Sequence, residues 1–232
     1  MKWYEKYGYV NDPFATDKGV FIDKSVHLQE PADELAYNIA AGNMMVIEGP
    51  SGTGKTTLLY TAIERFRGER KVVYLDCSRK DVDIKKLMQG RYGLLGKLFD
   101  LTPKNMVLLL DNFSHLSKKD IERVKYYYDN NYIRSIIFAG DASHLPENVL
   151  DRVGGRIMHL KPLSAYDAAE LVKNRLGSFE FLPEKIAKKI YKKSKGDART
   201  FLENCTKACE AAMHAGAETV SEQHLKATGG KK

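Results

Sequence analysis

GPSGTGKTT, residues 49–57, is the stretch whose reading decides the fold. It carries the pattern G-x-x-x-x-G-K-T as Gly49, Gly54, Lys55 and Thr56. Upstream lies the apolar run NMMVIEG (43–49), which reads as a buried strand. Downstream lies TTLLYTAIERF (56–66), with Leu59, Ile63 and Phe66 on one helical face. A strand, a glycine-rich turn and a helix are the context in which this pattern holds phosphates. The segment Gly49, Pro50, Ser51, Gly52, Thr53 and Gly54 is expected to wrap them with its N–H groups, helped by the N-terminus of the helix. Lys55 would pair with the β- and γ-phosphates, and the Thr56 hydroxyl, with Thr57 beside it, would ligate Mg²⁺.

A second stretch supplies the other half of such a site. VLLLDNF (107–113) reads as a buried strand that ends on Asp111, the residue expected to hold Mg²⁺ through water. The next residue is Asn112. KVVYLD (71–76), SIIFAG (135–140) and the weaker RIMHL (156–160) read as further strands. Between the third and fourth strands SKKD (117–120) has capping-box spacing, and Ile121, Val124 and Tyr128 follow on one face. Strands separated by helices predict an α/β fold of the P-loop kind, a parallel sheet sandwiched by helices.

After about residue 162 strand signals stop. Ser164–Asp167 has capping-box spacing and opens a helix through Leu176, and a second helix is expected over Pro183–Ser194. A third follows Gly196, with Phe201, Cys205, Ala208 and Ala212 in one stripe. A short piece near 221–227 precedes the tail 229–232. The expected division is a nucleotide-binding α/β part over 1–162 and a small helical subdomain over 163–228.

Hydrophobic residues make up 43% of 232, enough for a core, and no run reaches the roughly 18 apolar residues of a membrane span. The N-terminus lacks the apolar stretch of a signal peptide, so a cytoplasmic chain without membrane contact is expected. Cys77, Cys205 and Cys209 have no zinc-type spacing and read as buried thiols. The net charge of +7 permits nucleic-acid binding, although KKIYKKSK (188–195) reads equally as a solvated helix face. KYYYDNNYIR (125–134) mixes aromatics with cations, which suits either base stacking or core packing.

The stretches VLDRVGGRIMHLKPLSAYDAAELVKNRL (149–176) and KGDARTFLENCTKACEAA (195–212) resemble AAA+ ATPases of the origin-recognition and helicase-loader group, including the archaeal Orc/Cdc-like proteins. They also resemble ExeA-like ATPases, to whose start YGYVNDPFA (7–15) is similar. The likeness implies that the helical subdomain is a lid and that Arg199 reaches from it to the γ-phosphate. Arg152, or its competitor Arg156, would act in trans on a neighbouring subunit's ATP. The polar sensor after the fourth strand would be Asp141 or Ser143, and Val26 would lie near adenine. Relatives place DNA or partner contacts between the second and third strands, where helices are expected in DIKKLMQGRYGLLGKLF (83–99); there Arg91 and Tyr92, flanked by glycines, read first as a helix-to-helix turn and second as a nucleic-acid contact. The winged-helix domain usual in origin-recognition proteins is not expected within these 232 residues.

In that group a glutamate follows the magnesium aspartate and polarises the attacking water. Asn112 can orient a water but cannot accept its proton, and general-base help is typically worth about 10²–10⁴-fold. Slow hydrolysis is the expectation, unless another carboxylate such as Asp141 substitutes. Two functional readings follow. One is an ATP-dependent, DNA-associated switch or slow ATPase that assembles with itself or related AAA+ subunits in replication, recombination or a related DNA transaction. The other is a nucleotide-stabilised module that recruits a protein partner with little hydrolysis and no direct DNA contact.

Overall fold

The computed structural model describes residues 2–16, 27–67, 71–79, 84 and 106–228. The expected helices of 83–99 with Arg91 and Tyr92, the adenine neighbour Val26 and the tail 229–232 lie outside the described residues, apart from the helical Ile84. In chain order the elements are α1 (Trp3–Lys6), α2 (Gln29–Ala41), β1 (Met44–Glu48), α3 (Lys55–Arg65), β2 (Lys71–Asp76) and β3 (Met106–Asp111). They continue with α4 (Lys118–Asp129), β4 (Ile133–Ala139), α5 (Glu147–Val153), β5 (Ile157–His159), α6 (Ala165–Leu176), α7 (Glu184–Lys193) and α8 (Ala198–His214). Two compact units emerge. One comprises Met1–Gln29, Pro50–Thr57 and Lys161–Lys232, the other Glu30–Gly49 and Leu58–Leu160.

The second unit is built on a five-stranded sheet in the order β2-β3-β4-β1-β5, and every pairing is parallel. All five strands therefore end at one carboxyl edge. Each of the six residues of β3 is buried, as a strand covered on both faces requires. One face contributes Met44, Val46, Leu108, Leu110, Ile136 and Phe138 to a core shared with Ile121 and Val124 of α4 and Val149 and Val153 of α5. The alternating residues Met45, Ile47, Leu109 and Ile137 are fully buried as well. Ser117 caps α4 by accepting from the Asp120 N–H at 3.2 Å. β4 begins at Ile133 rather than Ser135 because pairing with β3 starts there.

The first unit is helical. The stripe Phe201, Cys205, Ala208 and Ala212 of α8 is fully buried, packed with Ala168 and Val172 of α6 and Ala187 and Ile190 of α7. Ser164 and Asp167 form the reciprocal capping box that opens α6. Pro183 and Ser194 flank α7, so the range read from sequence is the helix plus its two caps. The N-terminal segment belongs to the same core. Trp3 is 1% exposed and stacks between Phe14 and Phe181, with ring centroids 5.6 and 6.1 Å away. Arg175 of α6 secures that segment by donating to the carbonyls of Pro13 and Ala15. Cys77, Cys205 and Cys209 are buried free thiols, in line with the bland reading of their spacing.

Trp3 is the only tryptophan, so its emission reports on the helical unit. Trp3→Ala should destabilise that unit by about 3–5 kcal/mol, measured by thermal unfolding. In the unaltered protein the emission should be blue-shifted and move red on melting. A red-shifted emission from the folded protein would contradict the docking of the N-terminal segment.

Candidate functional site

The glycine-rich turn leaves β1 at the carboxyl edge of the sheet and enters α3 at Lys55. Gly52 and Gly54 have φ of +78° and +92°, a left-handed region that residues with a Cβ rarely adopt. Inside the turn the Thr53 hydroxyl and the Lys55 ammonium both donate to the Pro50 carbonyl at 2.9 Å. The turn is thereby closed on itself, and Lys55 folds back over it. Thr56 and Thr57 follow in the first turn of α3, at the positive end of the helix dipole.

Within the same unit the start of α8 meets this turn. Asp197 caps α8 by accepting from the Thr200 N–H at 2.7 Å, and the Ser51 hydroxyl lies near enough to its carboxylate to help stabilise the charge. The approach is close: a Cβ on residue 52 would lie 2.7 Å from Asp197 Oδ2 and 2.8 Å from the Ala198 nitrogen. Partial burial raises the Asp197 carboxyl, but Thr200, the nearby Ser51 hydroxyl and the charge of Arg199 outweigh it and hold the group below the usual carboxylate range. Arg199 itself is exposed in the first turn of α8.

In the sheet unit Asp111 ends β3 with 1% exposure, opposite Asp76 at the end of β2. The Tyr74 hydroxyl donates to Asp111 Oδ2 at 2.8 Å; burial and then this bond push the phenol well above its ordinary range. Cys77 is pushed up to about 12, first by burial and then by Asp111 and Asp76. Asn112 has left-handed backbone angles, φ 54° and ψ 38°, and its Nδ2 donates to Asp76 Oδ1 at 3.0 Å. Asp141 and Ser143 follow β4, both exposed, and Asp141 accepts from the Ser143 N–H at 2.9 Å. Hydrogen bonds from Ser143 hold the Asp141 carboxyl below its usual range.

Arg152 lies in the last turn of α5, where Nε contacts Asp129 Oδ1 at 3.1 Å and the guanidinium stands 5.3 Å from the Tyr128 ring centre. Its competitor Arg156 is used locally, donating from Nε to the Met44 carbonyl at 3.0 Å and from Nη2 to the Arg152 carbonyl at 2.9 Å. Tyr128 donates to the Gly42 carbonyl at 2.7 Å, whereas Tyr126 is 60% exposed. Ser51–Asp197 and Asp76–Asn112 are the contacts that reading from sequence missed. The signal for Asp76 was present, since KVVYLD and MVLLLD have one form, an apolar run closed by aspartate.

Residues 41–169, more than half of the chain, match the sequence model of a family described as an AAA domain. No curated protein matches the chain. Among solved structures, Cdc6p from Pyrobaculum aerophilum superposes with a TM-score of 0.72 at 15% identity, over 94% of this chain and 70% of that one. The Aeropyrum pernix ORC1 protein, solved in complex with DNA, gives 0.76 at 15% identity, over 93% and 67%. The Thermotoga maritima RuvB Holliday junction branch migration motor gives 0.64 at 17%, over 88% and 70%. Identities this low establish the shared fold, and the chain spans about two thirds of the length of these structures.

The Asp197 cap has a pH signature. Because the folded-state pKa is lowered, its stabilisation is complete above the unfolded value, about 3.9, and is lost as pH falls through the folded one. Asp197→Ala should cost about 0.5–2 kcal/mol at neutral pH. Asp197→Asn should keep the cap and lose stability less steeply than the unaltered protein below about pH 4. Denaturant titrations at several pH values check both, and parallel acid limbs for the unaltered and Asn proteins would refute the assignment.

Proposed function

The chain belongs to the AAA domain family, and on that premise we propose that it binds ATP with Mg²⁺ and acts as a DNA-associated switch or slow ATPase. One observation carries this reading. The turn Gly49–Gly54 joins β1 to α3, and Asp111 closes β3 at the same carboxyl edge where β1 ends. Glycines in left-handed conformations followed by a helix N-terminus form a cradle for phosphate oxygens. The Thr56 hydroxyl and the Asp111 carboxylate are hard oxygen donors of the type Mg²⁺ takes. When bound, Mg²⁺ would offset charge on the β- and γ-phosphate oxygens.

Lys55 exchanges the Pro50 carbonyl for charged phosphate oxygens, a stronger class of hydrogen bond. Arg199, at the start of a lid helix whose cap already touches Ser51, is proposed to sense the γ-phosphate. Arg152 is proposed to act on a neighbouring subunit's nucleotide after exchanging Asp129 for it. Asn112 at the position after Asp111 supports slow turnover. The division into a nucleotide-binding part over 1–162 and a lid over 163–228 belongs to the same proposal.

DNA is the proposed partner. The net charge of +7 supports it, as does a cleft of about 550 Å³ in the helical unit lined by Lys189, Lys192, Lys193 and Lys226 with Glu222 and Leu225. Among the described residues no helix is long and apolar enough to cross a membrane.

A fluorescent ATP analogue titrated against the unaltered protein and Lys55→Ala tests the core of the reading. Loss of a charged hydrogen bond worth about 1.5–3 kcal/mol should weaken binding by about 10- to 100-fold. Equal affinities would refute the role of the turn. DNA binding at two salt concentrations tests the partner: a steep salt slope that appears only with ATP is expected. Absence of binding even at low salt would overturn the DNA assignment and favour a protein-recruiting module.

A further inference from the structure

β2 and β3 pair in parallel register, with Asp76 opposite Asp111. One residue beyond Asp111 the chain turns into the left-handed region at Asn112, which brings the Asn112 side chain across to the neighbouring strand. Its Nδ2 donates to Asp76 Oδ1 at 3.0 Å. The Ser78 N–H and hydroxyl donate to the same oxygen at 3.2 and 2.7 Å, so Asp76 is itself held in place.

From this arrangement we propose that Asp76 is a positioning residue for Asn112 in ATP hydrolysis, a role that rests on reading Asp111 as the magnesium carboxylate. A primary amide beside a carboxylate has one acceptable orientation, because the reverse places two acceptors together. With Nδ2 committed to Asp76, the carbonyl oxygen is left on the other side of the same planar group as an acceptor for a water hydrogen. In the hydrolytic step the water oxygen bonds to the γ-phosphorus as the bond from that phosphorus to the ADP oxygen breaks. The water proton passes to a γ-phosphoryl oxygen, so the step balances without a protein base. Asn112 contributes orientation alone, and Asp76 supplies the fixed point that makes the orientation unique.

The left-handed backbone gives a competing account of Asn112. Asparagine is among the few residues with a Cβ that adopt that region readily, so its side chain could serve the turn only. In that case Asp76 would be irrelevant to turnover. The two accounts separate in a double-mutant cycle built from Asp76→Ala, Asn112→Gly and the combination, with phosphate release and mant-ATP binding measured together. Glycine suits φ 54° and removes only the side chain.

Each single substitution should lower kcat by about 10- to 100-fold, the scale of a misplaced reacting group. The KM and the mant-ATP Kd should stay within about twofold of the unaltered values. The combined variant should be no slower than the slower single, because both remove one interaction. Asp76→Asn should retain most of the turnover, since its carbonyl oxygen can take the place of Oδ1 among the three donors, and it guards against misfolding of the alanine variant. The proposal is overturned by a normal kcat in Asp76→Ala, by rate losses that multiply in the combination, or by Asp76→Asn being as slow as alanine. Mant-ATP binding without any phosphate release in the unaltered protein overturns it too, leaving the nucleotide reading intact. Failure to bind mant-ATP at all removes that reading instead.

Discussion

The parallel register of the sheet is the constraint on which the polar architecture depends. Because all five strands run one way, their backbone carbonyl ends and the turns that follow them gather along one edge. β1 delivers the glycine-rich turn there, β3 delivers Asp111, β2 delivers Asp76 and β4 delivers Asp141. A slip of one residue between β2 and β3 would reverse the facing of every side chain on one strand and separate Asp76 from Asn112. The apolar residues of β3, all buried, make such a slip expensive, so the core that stabilises the sheet also holds the acids in register.

A second constraint acts in the helical unit. Asp197 serves two neighbours, the open N–H groups of α8 through Thr200 and the glycine-rich turn through Ser51. The contact demands a residue without a Cβ at Gly52. The glycine-rich turn and α8 thus share one carboxylate, and the exposed Arg199 follows it by two residues. This gives the lid proposal a physical basis: negative charge arriving at the turn would repel Asp197 and attract Arg199.

Much of the fold was legible from the sequence because its signals were long and regular. NMMVIEG, KVVYLD and VLLLD are apolar runs bounded by polar residues, and α6, α7 and α8 carry helical periodicity, with capping side chains at the starts of α6 and α8. α5 has seven residues and α1 four, too few for a period to register. α2 buries Leu35, Ala36 and Ile39 at helical spacing, but alanines and Pro31 dilute the pattern. The docking of Trp3 against Phe181 joins residues far apart in the chain, which no local pattern encodes. The same holds at the site. Lys55, Thr56 and Asp111 announce themselves through motif and context, whereas Asp76–Asn112 and Ser51–Asp197 arise from strand pairing and helix placement.

The central claim is that this AAA-domain chain holds ATP through its glycine-rich turn with the help of a magnesium-binding Asp111. Ligand that binds only the folded state stabilises it by about 2.7 kcal/mol at one hundred times its Kd. The most direct measurement is the melting temperature with saturating ATP, in Mg²⁺ and in a chelator. A rise with ATP and Mg²⁺ that shrinks in the chelator and in Asp111→Asn is the predicted result. An unchanged melting temperature at every ATP concentration, with or without Mg²⁺, would contradict the account.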